Sequence, residues 1–242
     1  EGFTLQIGDG QEIANATGIM TINDFRSEDV SKGGQGAPLV PIGDRHLFAE
    51  FPICLNIGGI ANVSYEMNGR RIAYDICMAN QLLNYLANKL GYDYDNNGQF
   101  AKQGKVDKEL FDILNDNAYY KQDAPKSLGR EFFENVQHKI IDESSLSTKD
   151  LLATATEHIA YQIVKSTEKL DKSKMLVTGG GAKNDFLIER ICAMSKHEIV
   201  IPDVMITDYK EALIFAFLGV LKLEGKINVL SSVTGASSDS SS

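Results

Sequence analysis

The stretch from Ile53 to Asp75, ICLNIGGIANVSYEMNGRRIAYD, constrains the fold of this chain more than any other. ICLNI is a short apolar run that ends at Gly58-Gly59, and NVSYEM alternates as a half-buried strand does. Asn68-Gly69 is the strongest two-residue hairpin signal, and RRIAYDI supplies a third strand. Turns this short predict a three-stranded meander. ANQLLNYLANKL, Ala79 to Leu90, then sets Leu82, Leu83, Leu86, Ala87 and Leu90 on one helical face and stops at Gly91, a residue suited to a helix C-terminus.

Downstream, Ser147 and Asp150 of STKD form a capping box ahead of a long amphipathic helix that runs to about Leu170. KMLVT, Lys174 to Thr178, reads as a buried strand; Gly179, Gly180 and Gly181 lead from it into a helix from about Asn184 to Met194. HEIVIP is another short strand. EALIFAFLGVLKL, Glu211 to Leu223, is an apolar helix with little polar face, which predicts that it is sandwiched as interdomain core in preference to dimer surface. The tail SSDSSS reads as disordered. These elements make an α/β protein. The succession of strand, glycine turn, strand, NG hairpin, strand and helix is that of an RNase H-like half-domain.

Composition narrows the partners. The chain of 242 residues carries 33 Asp and Glu against 24 Lys and Arg, a formal charge of −9, which argues against gripping nucleic acid or an anionic membrane by bulk electrostatics. Any phosphate must therefore be held by a local site. The longest apolar stretches fall short of the roughly 20 residues that span a bilayer, and the opening EGFTLQIGDG has no basic or apolar region of a signal peptide. Cys54, Cys77 and Cys192 lie far apart, which suits reduced, buried thiols in a cytoplasm. The four His residues are scattered, and no protein-held metal site is expected.

Three motifs carry candidate chemistry. In LNIGGIANVS, Leu55 to Ser64, Gly58 and Gly59 let backbone N–H groups approach an anion, while Asn62 and Ser64 offer side-chain hydrogen bonds; a plain hairpin turn fits equally well. VTGGGAKN, Val177 to Asn184, closes a strand and opens a helix, where exposed amides and the helix N-terminus favour a phosphate or a ribose. It is neither GxGxxG nor GxxxxGK[ST], so Rossmann and P-loop readings are weak. DFRSEDVSKGGQGAPLVP, Asp24 to Pro41, gathers Asp24, Arg26 and Asp29 with Gln35 in a glycine-rich loop suited to a hydroxyl-rich ligand, or forms merely a charged turn. Asp75 would project into a cleft from a strand end or cap the following helix, the cap being the commoner use.

TGI, DFRSED, GGQGAPLVP, LNIGGIANVS, APKSLGREFF (Ala124 to Phe133), VTGGGAKN, KEALIFAFL (Lys210 to Leu218) and SVTGAS (Ser232 to Ser237) together resemble the anhydro-N-acetylmuramic acid kinase family, in the family's order and over nearly the whole chain. The resemblance implies an actin-like ATPase fold with ATP and Mg²⁺, and a phosphotransferase with an alcohol acceptor that opens the 1,6-anhydro ring and phosphorylates the 6-hydroxyl in peptidoglycan recycling. It implies Asp75 as the base, Arg26, Asp24, Gln35 and Glu211 toward the sugar, Gly58, Gly59 and Asn62 toward phosphates, and Gly179, Gly180, Gly181 and Asn184 toward adenosine. It divides the chain into an N-terminal-domain remnant (1–50), an RNase H-like nucleotide-binding domain (51–230) and a tail (231–242), and leaves a homodimer open.

Two departures stand out. Where the family has a TGPGN-like segment after the Asp, this chain reads ICMAN and keeps only Asn80. The family's opening GxMSGTSxDGxD hairpin and its GHGQT loop are not in this sequence, so the family's N-terminal third is expected to be missing and this chain alone to be inactive without it. The alternative is a non-catalytic actin-like nucleotide-binding half-domain or scaffold. APKSLGRE matches the family without suggesting a role for Lys126 or Arg130.

Overall fold

A computed structural model describes residues 7–242. Residues 1–6 of the opening segment inspected for a signal peptide lie outside the described residues. Three helices, α1 (Gly10–Thr17), α2 (Ser27–Ser31) and α3 (Pro41–Leu47), precede strands β1 (Ile53–Ile57), β2 (Ile60–Met67) and β3 (Arg70–Met78). Helices α4 (Asn80–Asn88), α5 (Lys108–Asn115), α6 (Arg130–Phe132), α7 (His138–Asp142) and α8 (Thr148–Thr167) follow, with a π-helical turn at Phe133–Gln137. Then come β4 (Lys174–Thr178), α9 (Asp185–Met194), β5 (Glu198–Val200), α10 (Val204–Leu223) and α11 (Ser231–Thr234).

The five strands form one sheet in the order β3-β2-β1-β4-β5. Connections of two residues, Gly58-Gly59 and Asn68-Gly69, allow only antiparallel neighbours, and positive φ at both Asn68 (52°) and Gly69 (75°) gives the hairpin the twist its strands need. β4 runs parallel to β1, Asn56 facing Thr178, and β5 runs parallel to β4. This is the expected α/β, RNase H-like arrangement.

Two compact units are formed. One comprises the chain up to Ala49 with Ser64–Ala73 and Tyr209–Ser242; the other comprises Glu50–Val63 and Tyr74–Asp208. The second unit's core joins Leu55 and Ile57 of β1 and Met175 and Val177 of β4 to Leu152, Ile159 and Ile163 of α8 and Leu187 and Ile191 of α9, all fully buried. In the first unit Ile42, Ile214, Leu218, Val229 and Val233 form the core. A Cβ at Gly43 would come within 2.4 Å of the Ile214 side chain, so Ile214 of α10 packs directly on the backbone of α3.

Several expectations are corrected. α10 begins at Val204, not Glu211, and is not sandwiched: Ile214, Leu218 and Leu221 are buried, while Leu213, Val220 and Leu223 are 43%, 49% and 60% exposed. The tail is ordered. Asn228, fully buried, donates to the Ser242 carbonyl (2.6 Å) and accepts its N–H (2.8 Å), and Val229 bridges Ser240, so backbone pairing secures a segment that has no apolar side chains. Cys54 and Cys77 are buried, but Cys192 is exposed on α9. No described helix is long and apolar enough to cross a membrane.

Candidate functional site

The register of β1 with β4 sets the two glycine turns side by side at the carboxyl ends of these strands, where α/β sheets bind ligands. Backbone N–H groups of Ala79, Asn80 and Gln81 donate to the carbonyls of Gly59, Gly58 and Gly59 at 2.8, 3.0 and 3.2 Å. Those donors of α4's first turn are thus taken. What remains to meet an anion is the glycine backbone itself.

The glycines differ in kind. A Cβ at Gly181 would lie 2.2 Å from Ile57 Cγ2; one at Gly179, where φ is +85°, would lie 2.7 Å from Asn56 Oδ1. Both are demanded by the packing of the second turn against β1. At Gly59 and Gly180, by contrast, a Cβ would meet nothing nearer than 3.9 and 3.5 Å, and neither has a positive φ. Their backbone faces are open, and the fold does not require glycine there. Gly58 is intermediate, with ordinary contacts at 3.4 Å. Asn80 links the turns: its Nδ2 donates to the Ile57 carbonyl (3.2 Å) and is the atom nearest the open side of Gly180.

Other candidates have structural employment. Asn184 caps α9, its side chain accepting the Leu187 N–H at 3.1 Å. Asn62 stands half-buried in β2. Ser64, expected to face a ligand, is instead 4% exposed, donating to Asp44 and accepting from Arg71 at 2.7 Å. The cause is the alternation of β2, which turns it into a buried charged cluster.

Asp75 neither ends its strand nor caps a helix. It is the sixth of the nine residues of β3, and its Oδ2 accepts the Leu128 N–H at 2.9 Å while its own N–H donates to the Lys126 carbonyl at 3.3 Å. The APKSLGRE segment therefore lies along the open edge of β3, covering an edge strand and fixing one carboxylate oxygen. Burial pushes the Asp75 carboxyl above the ordinary carboxylate range, and the Leu128 amide pulls the other way. Arg130, at the end of the segment, pairs with Glu134 (2.8 Å) and borders a groove of about 620 Å³ that reaches from Gly59 past Gln81, Tyr85 and Phe133.

The sugar-side candidates all belong to the other unit. Asp29 is fully buried, accepting from Thr234 Oγ1 at 2.6 Å and from the Gly36 N–H at 2.8 Å; Gln35 N–H donates to the Thr234 carbonyl at 3.0 Å. The Arg26 guanidinium donates to the Gly36 carbonyl. GGQGAPLVP is thus held between DFRSED and SVTGAS, with the Gln35 side chain left exposed. Asp24, at φ 60°, accepts the Ser27 N–H (3.2 Å) at the start of α2. Glu211 is exposed on α10, one turn before Phe215, whose ring meets Phe25 edge-on at 5.9 Å. Sequence reasoning missed Asn80, Tyr119, Lys126 and the Leu128 amide; the unassigned match APKSLGRE and the retained Asn80 were the signals available.

An RNase H-like sheet with glycine turns at the carboxyl ends of two adjacent parallel strands is an α/β architecture of the class that binds ligands at those ends. All 242 residues match the family model described as anhydro-N-acetylmuramic acid kinase, and the chain belongs to that family of kinases. The curated anhydro-N-acetylmuramic acid kinases of Actinobacillus pleuropneumoniae and Vibrio cholerae are each 38% identical to it, over 97% of this chain and 67% of theirs. That of Pasteurella multocida is 38% identical over 98% of this chain and 66% of its own length. The chain thus spans about two thirds of the length of these relatives. Solved structures with some similarity include the activator of the 2-hydroxyisocaproyl-CoA dehydratase from Clostridium difficile with bound ADPNP (19% identity, TM-score 0.45, 68% of this chain and 57% of that one). Component A of the Acidaminococcus fermentans (R)-2-hydroxyglutaryl-CoA dehydratase is another (16%, 0.46, 72% and 63%).

Proposed function

We propose that this chain carries the base and the nucleotide turns of an ATP-dependent kinase that opens the 1,6-anhydro ring of anhydro-N-acetylmuramic acid and phosphorylates its 6-hydroxyl, in peptidoglycan recycling in the cytoplasm. Asp75 takes a proton from a water that attacks the anomeric carbon. The bond from that carbon to O6 breaks, the water oxygen becomes the anomeric hydroxyl, and O6 receives the γ-phosphoryl group as ADP departs.

The observation that carries this reading is the setting of Asp75. One oxygen is fixed by a backbone amide, and partial burial raises its proton affinity, as a general base requires. The open backbone at Gly59 and Gly180 fits phosphate and nucleoside approach, with Asn80 between them. Charge neutralisation would come from magnesium bound with the nucleotide, since no cluster of three or more His, Cys, Asp or Glu among the described residues could hold the ion by itself. Arg26, Gln35 and Glu211 are the sugar-side candidates, with Asp24 shaping the turn that presents Arg26. No observation favours the scaffold alternative.

Asp75→Asn in the whole protein is the test. Turnover of the anhydro sugar with ATP should fall by about a hundred- to ten-thousand-fold, while calorimetry still detects both ligands. Unchanged turnover would overturn the assignment of the base.

A further inference from the structure

Asp75 is enclosed by contacts that the reaction above does not use. Its N–H donates to the Lys126 carbonyl, the Lys126 ammonium donates to the Tyr119 carbonyl at 3.2 Å, and the Tyr119 hydroxyl donates back to the carbonyl of Asp75. The three residues close a ring. Lys126 Nζ lies 4.7 Å from the centre of the Tyr119 ring and 5.3 Å from that of Tyr74, and forms no ion pair among the described residues.

A half-buried lysine without an ion pair costs some desolvation that its packing must offset. Burial lowers its pKa, with Asp123 opposing weakly. Its contacts all hold one thing in place: residues 126 to 128 against the edge of β3. The carbonyl of Lys126 fixes the main chain of Asp75, and two residues later the Leu128 N–H fixes its carboxylate, so the same short segment sets both ends of the side chain.

We infer that Lys126 is a positioning residue for Asp75, clamping the 126–128 segment between the Tyr74 and Tyr119 rings so that Leu128 holds Oδ2 and Oδ1 is left to take the proton. This rests on Asp75 being the base. Misplacing a catalytic group by about 1 Å can cost about a hundredfold in rate.

The experiment is steady-state kinetics of the whole protein with ATP and the anhydro sugar. Lys126→Met should lower kcat about ten- to a hundredfold with both KM values within about twofold. Lys126→Arg should recover most of the loss, because a guanidinium can donate to the Tyr119 carbonyl and lie over the same rings. In an Asp75→Asn background Lys126→Met should lower the residual rate no further. Unchanged kcat, a raised KM at constant kcat, or an undiminished effect in the Asp75→Asn background would each overturn the inference. If Lys126→Met does not fold, Tyr119→Phe opens the same ring and should lower kcat at least threefold at constant KM; no change there overturns it. An active Asp75→Asn overturns the base itself, whereas an inactive Asp75→Asn beside a fully active Lys126→Met overturns only the positioning role.

Discussion

The two compact units bury polar groups in different ways. The unit that holds Arg26, Gln35 and Glu211 buries charged side chains beside neutral ones such as Ser64 and Asn228: Asp44 meets Lys210 at 2.6 Å and Arg71 at 3.7 Å, and Asp29 takes two hydrogen bonds. The unit that holds the glycine turns buries mostly neutral groups, Asp95 excepted. His158 bonds Asn115 (2.8 Å) and Tyr120 (3.3 Å), Gln162 bonds Asn115 (2.7 Å), and Gln137 bonds Tyr120 (3.3 Å). The difference tracks what each presents. The loop that carries Gln35 is held by the Asp29 carboxylate, whereas the second glycine turn packs on Ile57 and Asn56.

The largest expected effect follows from the paired charges. Asp44→Ala would leave Lys210 and Arg71, at 6% and 2% exposure, with no buried anion. Unfolding free energy from chemical denaturation should drop by about 3–5 kcal/mol. Glu66, half-exposed and 3.8 Å from Arg71, is too solvated to replace it. A loss below about 1 kcal/mol would mean that the cluster is not what stiffens this unit.

Much of this was legible in the sequence, and the boundary has a physical cause. The meander, the NG hairpin, the Ser147 cap and the strand at Lys174–Thr178 follow from local pattern and turn chemistry, which act over a few residues. The turn glycines were legible as a group, but which are open and which are packed depends on Ile57 and Asn56, far away in the chain. Asp75 was legible as a carboxylate on a strand. Its environment was not, since Leu128 and Lys126 reach it across more than fifty residues of sequence. The ordered tail escaped for the same reason: serine is uninformative until its partner, here Asn228, is known.

Glycine substitutions sharpen the comparison at intermediate size. Gly181→Ala drives a Cβ to 2.2 Å from Ile57 and should cost about 1–3 kcal/mol of stability. Gly59→Ala and Gly180→Ala meet only ordinary contacts, at 3.9 and 3.5 Å, and should change stability by no more than about 0.5 kcal/mol. Their effect should appear in nucleotide affinity, with the calorimetric Kd for ATP raised about tenfold by a methyl standing where phosphate or ribose approaches. Equal stability losses at all three positions, with ATP affinity unchanged, would make both turns purely structural.

The smallest effect per step is a slope with pH, and it comes from one buried imidazole of the neutral unit. His158 is fully buried, and burial lowers its pKa from 6.5 to about 3. Below pH 6.5 the unfolded chain takes up a proton that the folded chain refuses, so stability is complete above that value and declines as pH falls toward 3, by at most about 1.4 kcal/mol per pH unit. Asp75 acts in the opposite sense, since its folded carboxyl holds a proton more tightly than the unfolded one. His158→Gln separates the two: it keeps a hydrogen-bonding side chain, removes the imidazole titration and leaves Asp75 untouched. Denaturation at pH 7, 6 and 5 should then give a shallower decline in the variant than in the parent. A parallel decline would mean that the buried imidazole is not what makes stability fall with pH, and the neutral interior of this unit would lose its role in acid sensitivity.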